Sequence, residues 1–98
     1  MIIYVDIDNT ICETSGTDYE SSIPIPHAID KVNKLYDEGN TVVYWTARGA
    51  VSKIDWRELT ESQLRLWGAR YTELRLDKPA FDLFIDDKNL NAKDWLQS

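Results

Sequence analysis

The stretch MIIYVDIDNT, residues 1–10, opens the chain and decides how the rest is read. Ile2, Ile3, Tyr4 and Val5 form a continuous apolar run with no polar alternation. A strand of that kind is buried on both faces, as in a parallel sheet with helices packed on it. The run stops at Asp6, and a second carboxylate follows at Asp8. At strand spacing, residues i and i+2 point to the same side, so both acids leave the strand end together.

Outward from this stretch the pattern repeats. Thr41-Val42-Val43-Tyr44-Trp45 is β-branched and aromatic, and it ends at Thr46-Ala47-Arg48-Gly49. Residues 81–85 (FDLFI) form a further strand-like run, preceded by the break Lys78-Pro79 and ended by Asp86-Asp87. Residues 70–76 (RYTELRL) alternate weakly and read as an edge strand. Helices are expected between the strands. Pro26 suits a first helical turn. Ile25, Ala28, Ile29, Val32, Leu35 and Tyr36 recur at spacings of three and four and make one apolar stripe. Gly39 closes that helix as a left-handed cap. Two capping boxes, Asp55 with Glu58 and Thr60 with Gln63, compete to start a second helix that ends at Trp67 before Gly68. A short helix is expected at residues 91–96. Residues 13–24 (ETSGTDYESSIP) are polar and read as a loop.

Strands alternating with helices imply right-handed crossovers and a mainly parallel sheet, hence an α/β domain. In such sheets the site lies at the carboxyl ends of the strands. The polar residues Asp6, Asp8, Thr46, Asp86 and Asp87 fall at those ends, with Lys78 just before the last strand. Two carboxylates from one strand and two from another repel strongly in a low-dielectric crevice. Lys78 and a hard divalent cation are the expected compensation, and Mg²⁺ takes oxygen ligands of this kind.

The 98 residues make one domain, able to bury roughly 60–70% of its unfolded surface. A net charge of −6 argues against nucleic acid and anionic membrane as partners. Cys12 is the only cysteine, so no intrachain disulfide is available, and a lone thiol suits a reducing compartment. No run reaches the ~18 apolar residues of a membrane helix, and the N-terminus has no basic segment of a signal peptide. The expected location is the cytoplasm.

The order Asp6-Ile7-Asp8-Asn9-Thr10, Thr46, Lys78, Asp86-Asp87 resembles the four ordered signatures of the haloacid dehalogenase (HAD)-like superfamily of phosphohydrolases. The likeness spans residues 2–87. Within the superfamily, the segments TICE, TARG, QLRLWG, DKP and IDDK are similar to the short cap-less phosphatases of capsular or surface polysaccharide biosynthesis. The resemblance implies a three-layer Rossmann-like domain with strand order 3-2-1-4 and no cap domain. It implies that Asp6 attacks phosphorus and becomes an aspartyl-phosphate. Asp8 acts as general acid and then base. Thr46 hydrogen-bonds the phosphoryl oxygens, and Lys78 offsets charge on Asp6 and the transferring group. Mg²⁺ sits between Asp6, the Asp8 carbonyl and Asp86, with Asp87 a further ligand through water or an orienting group. The implied substrate is a small phosphorylated molecule, with a sugar phosphate preferred. Asn9 stands where many relatives have glycine.

Other readings of the same residues stand beside this one. Arg48 is either a substrate contact or the partner of a surface acid. His27 reads as a surface residue and Cys12 as a packed thiol, since no neighbouring base or cation favours a thiolate. The four tryptophans suit core or partner surface and, with no cap, tilt the reading towards a homo-oligomer. A response-regulator receiver places its acidic pair first and its acceptor aspartate on a middle strand, whereas here the middle strand ends in Thr46. A module that binds or accepts phosphate without turnover has no need of Asp8.

Overall fold

The computed structural model describes residues 1–98. In chain order the elements are Ile2–Val5 (β1), Cys12–Glu13 (β2), Ile23–Pro24 (β3), Pro26–Asp37 (α1), Thr41–Trp45 (β4), Arg57–Leu66 (α2), Glu73–Arg75 (β5) and Ala92–Leu96 (α3). The three longer strands form one parallel sheet in the order β1-β4-β5. Ile3 is level with Val42, Val5 with Tyr44, and Tyr44 with Leu74. The chain is thus an α/β fold with a small parallel sheet and three helices. None of these helices is long and apolar enough to cross a membrane.

α1 forms where the apolar stripe placed it. Pro26 fills the first helical position, where its missing N–H costs nothing. At the other end Gly39 takes φ 96°, and Asn40 N donates to the Leu35 carbonyl, the bond that lets a left-handed residue end a helix. The buried face of α1, Ala28, Ile29 and Val32, joins Val42 and Tyr44 of β4 and Leu64 of α2 in one core cluster. Every sheet residue of that cluster, Val5, Val42, Tyr44 and Leu74, faces the same way. α1 and α2 therefore cover one face of the sheet. Two right-handed crossovers that step in the same direction leave their helices on the same side. The other face carries Ile2 and Tyr4, which are 73% and 48% exposed. The sheet and its two crossover helices make two layers where three were expected.

The fourth strand is also absent. Residues 81–85 have no strand pairing, and all five are exposed. The Phe81 and Phe84 rings stack with centroids 5.4 Å apart, which draws positions i and i+3 together and shortens a segment that a strand would extend. The outer edge of β1 is left unpaired. In the opposite sense, residues 13–24 are more ordered than a loop. β2 and β3 pair antiparallel to make a short arm, with a single 3₁₀ turn at Tyr19–Ser21.

One glycine is required by both space and backbone. Gly49, just past β4, has φ 86°, and a Cβ there would run into the Ile54 carbonyl oxygen. Gly49→Ala is expected to cost about 2 kcal/mol or more. For a chain of this size that is a fall in Tm of roughly 8–16 °C by calorimetry or circular dichroism. An unchanged Tm would mean that the 46–56 loop rearranges freely.

Candidate active site

Alternation continues past the end of β1. Val5 and Ile7 are buried in the core, while Asp6 and Asp8 between and beyond them remain partly exposed. Both acids follow the end of β1, but they take different partners. Asp6 accepts a hydrogen bond from the Thr10 hydroxyl at 3.3 Å and lies 3.4 Å from Lys78 Nζ. Lys78 reaches Asp6 because its backbone N–H donates to the Thr46 carbonyl at the end of β4. Its ammonium also lies 5.6 Å from the Trp45 ring centre and 5.4 Å from that of Phe81. Asp6, Thr10, Lys78 and Asp86 line one cavity of about 650 Å³ against the free edge of β1.

The turn that follows β1 needs a left-handed residue. Asn9 supplies it with φ 62°, a conformation that asparagine tolerates better than most side chains. Its side-chain oxygen accepts from Thr14 N at 3.2 Å, which ties the turn to the arm. Asparagine thus meets the backbone demand that glycine would meet at this position.

Asp8 is held by Arg48. Arg48 Nε donates to one carboxylate oxygen at 3.0 Å and Nη2 to the other at 2.8 Å, a bidentate fork. Thr14 donates to Asp8 at 2.7 Å, and the Ser22 hydroxyl lies 2.7 Å from that of Thr14. Arg48 is 2% exposed. Its Nη1 donates to Thr60 at 3.1 Å and to Gln63 at 2.6 Å. The Tyr19 ring lies over the guanidinium, 4.7 Å from its centre. Arg48 therefore points into the interior with its donors engaged, neither towards open substrate space nor towards a surface acid. Thr60 and Gln63, which read as a capping box, serve as its acceptors instead. α2 begins earlier, with Asp55 accepting from Arg57 N at 3.0 Å. A signal for the inward role was present: Thr60 and Gln63 share a helical face with the core residue Leu64. Two polar residues on an apolar stripe require a polar partner inside.

The remaining expected residues are placed as follows. Thr46 is 1% exposed, and its hydroxyl oxygen accepts from Arg48 N at 3.2 Å. Asp86 faces the Asp6 cavity and accepts from Lys88 N at 3.2 Å. Asp87 lies at the surface, 3.3 Å from Lys88 Nζ. No three acidic, thiol or imidazole side chains converge on one point. A Mg²⁺ site asks for less, one or two carboxylates with carbonyl and water oxygens. Asp6 and Asp86, both on one cavity, are donors of the right chemistry. His27 is exposed, and Cys12 is fully buried.

The chain matches no family model and no curated protein. Its fold is similar to a crystal structure described only as a target from Vibrio cholerae. The TM-score is 0.87 at 22% identity, over 99% of this chain and 88% of that one. At that identity the likeness speaks for the fold alone.

Two outcomes follow from this geometry. Arg48→Met leaves the partly buried Asp8 carboxylate without its cation, and Thr60 and Gln63 without a donor. A loss of roughly 2–4 kcal/mol in urea unfolding is expected; a loss below about 0.5 kcal/mol would mark the pair as a weak surface bridge. Burial pushes the Cys12 thiol up, helped by the Asp8 charge and opposed by Thr14. The folded state thus favours the protonated thiol. This contribution is complete below the unfolded thiol value, about 8.5, and is lost as pH rises through the folded one. As pH rises above about 8.5, stability should fall more in the native chain than in Cys12→Ala. Equal slopes would remove Cys12 as the cause.

Proposed function

We propose that the chain is a Mg²⁺-dependent phosphatase of the HAD-like type that hydrolyses a small phosphomonoester through an aspartyl-phosphate on Asp6. One observation carries this reading. Asp6 stands at the carboxyl end of a sheet strand, partly open to a cavity, with the Lys78 ammonium 3.4 Å away and Asp86 lining the same cavity. A carboxylate placed this way has room for an incoming phosphoryl group and a cation beside it to offset the charge.

In the first step an Asp6 oxygen attacks phosphorus in line, and the bond from phosphorus to the ester oxygen breaks. Asp8 gives its proton to the departing oxygen. In the second step water attacks phosphorus, its proton passes to Asp8, and the bond to Asp6 breaks. Lys78 offsets the charge on Asp6 and the transferring oxygens, and the Thr46 hydroxyl is the hydrogen-bond donor to them. Asp6, the Asp8 carbonyl and Asp86 would hold Mg²⁺, with Asp87 orienting from outside; the ion supplies Lewis-acid stabilisation of the phosphoryl charge. The finer fold assignment belongs to the same reading. The order β5-β4-β1 matches the 3-2-1 part of the 3-2-1-4 arrangement, and the free edge of β1 is where its fourth strand would pair. A sugar phosphate is the preferred substrate. With no cap domain, a second copy of the chain is the candidate for a further wall of the site.

A second reading, a module that binds or accepts phosphate with little turnover, draws on the fork of Arg48 on Asp8, which occupies both oxygens of the proposed acid. Turnover separates the two. Asp6→Asn should abolish hydrolysis of phosphorylated metabolites with the circular dichroism spectrum retained. Near wild-type rates in that variant would rule out the covalent mechanism. Mg²⁺ at ten times its Kd should stabilise the native chain by about 1.4 kcal/mol, or roughly 6–11 °C in Tm. Asp86→Ala should remove most of that shift and Asp87→Ala less. A Tm that is the same in chelator and in Mg²⁺ would count against the metal.

A further inference from the structure

We propose that Gln63 is a positioning residue for Asp8, and that through it the seating of the 12–24 arm sets the orientation of the acid. The proposal rests on the proton-transfer role assigned to Asp8. Gln63 is 8% exposed, its side-chain hydrogen bonds go to Arg48 and Tyr19 and not to Asp8, and it does not line the Asp6 cavity. Its Oε1 accepts from Arg48 Nη1 at 2.6 Å, and its Nε2 donates to the Tyr19 carbonyl at 2.6 Å. Only one amide orientation satisfies a guanidinium on one side and a carbonyl on the other, so the two contacts select each other. They link Asp8, Arg48, Gln63 and the tip of the arm in one buried path.

The path is stiff because Arg48 has no spare donor. Its five N–H groups serve Asp8 twice, Thr60, Gln63 and, at 3.5 Å, Ser22. The guanidinium cannot turn away from Gln63 without disturbing the fork on Asp8. The arm is gripped at the same place. Tyr19 covers the guanidinium and meets Trp56 edge-on with ring centres 5.1 Å apart, while Ser22 and Thr14 approach Arg48 and Asp8 from the arm itself. If the arm lifts, a buried Gln63 N–H loses its acceptor, which is unfavourable without water. Rotation of Gln63 to recover a partner then takes an acceptor away from Arg48. The seated arm therefore holds Asp8 in a single geometry, and the raised arm releases it.

The test uses kcat/KM, which reports the steps up to departure of the leaving group, with 4-nitrophenyl phosphate and a simple alkyl phosphate as probes. An alkoxide needs a proton to leave, and 4-nitrophenolate needs little help. Gln63→Leu should lower kcat/KM for the alkyl ester about tenfold or more and for the nitrophenyl ester about twofold. The same change in an Asp8→Asn background should add nothing further. Gln63→Glu keeps an oxygen on Arg48 but loses its donor to the arm, so it should recover only part of the alkyl-ester loss; full recovery beside quickened exchange in the arm would overturn the link. It cannot donate to Tyr19, so amide exchange across residues 14–22 should quicken in both variants. An equal loss on both esters, or a loss that persists beside Asp8→Asn, would overturn the positioning role. Unchanged exchange in the arm would overturn the link to the arm. If Asp8→Asn itself shows no leaving-group bias, the role of Asp8 fails instead, and the exchange measurement still decides the link.

Discussion

A buried guanidinium has to be surrounded by acceptors, and that requirement organises this molecule. Arg48 follows β4 by three residues and lies almost wholly inside. The cost of an unpaired charge there exceeds that of any single contact in so small a domain. It is met by groups from three parts of the chain: Asp8 after β1, Ser22 and the Tyr19 ring from the arm, and Thr60 and Gln63 from α2. None of these elements can shift alone without leaving a buried polar atom unpaired. The same network fixes the side chain of Asp8 just past the end of β1.

The opposite edge of the sheet is governed by a looser rule. β1 has a partner on one side only, and the residues beyond it fold into an irregular segment with exposed aromatic and aliphatic side chains. Both crossover helices lie on one face, so the other face and the β1 edge share a common open region. Asp6, Lys78 and Asp86 border that region. The site is thus rigid on the side of Asp8 and Arg48 and open on the side of Asp86, a division that suits a scaffold on one side and ligand access on the other.

The local elements were legible because their signals are local. The unbroken apolar run at Ile2–Val5, the three-and-four spacing from Ile25 to Tyr36, Pro26 at the first turn and Gly39 after the last each describe a few neighbouring residues. The backbone responds to those neighbours directly. Three strands of the parallel sheet and the two longer helices follow from such signals, as does the placement of Asp6 and Asp8 just past the end of β1. Residues 81–85 carry a strand-like composition as well, but composition does not supply a hydrogen-bonding partner, and the stacking of Phe81 on Phe84 competes with extension.

Arg48 marks the boundary between the two kinds of information. In the sequence it is a charged residue at a strand end, and the expectation for such a residue is the surface or a substrate. Its actual surroundings are set by Asp8, forty positions earlier, and Gln63, fifteen later. Thr60 and Gln63 likewise read as a helix start until the guanidinium is placed against them. The sequence by itself determined the α/β class, the strand ends and the identity of the groups gathered there, because periodicity and turn chemistry act over a few residues. Only the tertiary structure decided which carboxylate meets lysine and which meets arginine, because burial and charge pairing depend on residues that the chain keeps far apart.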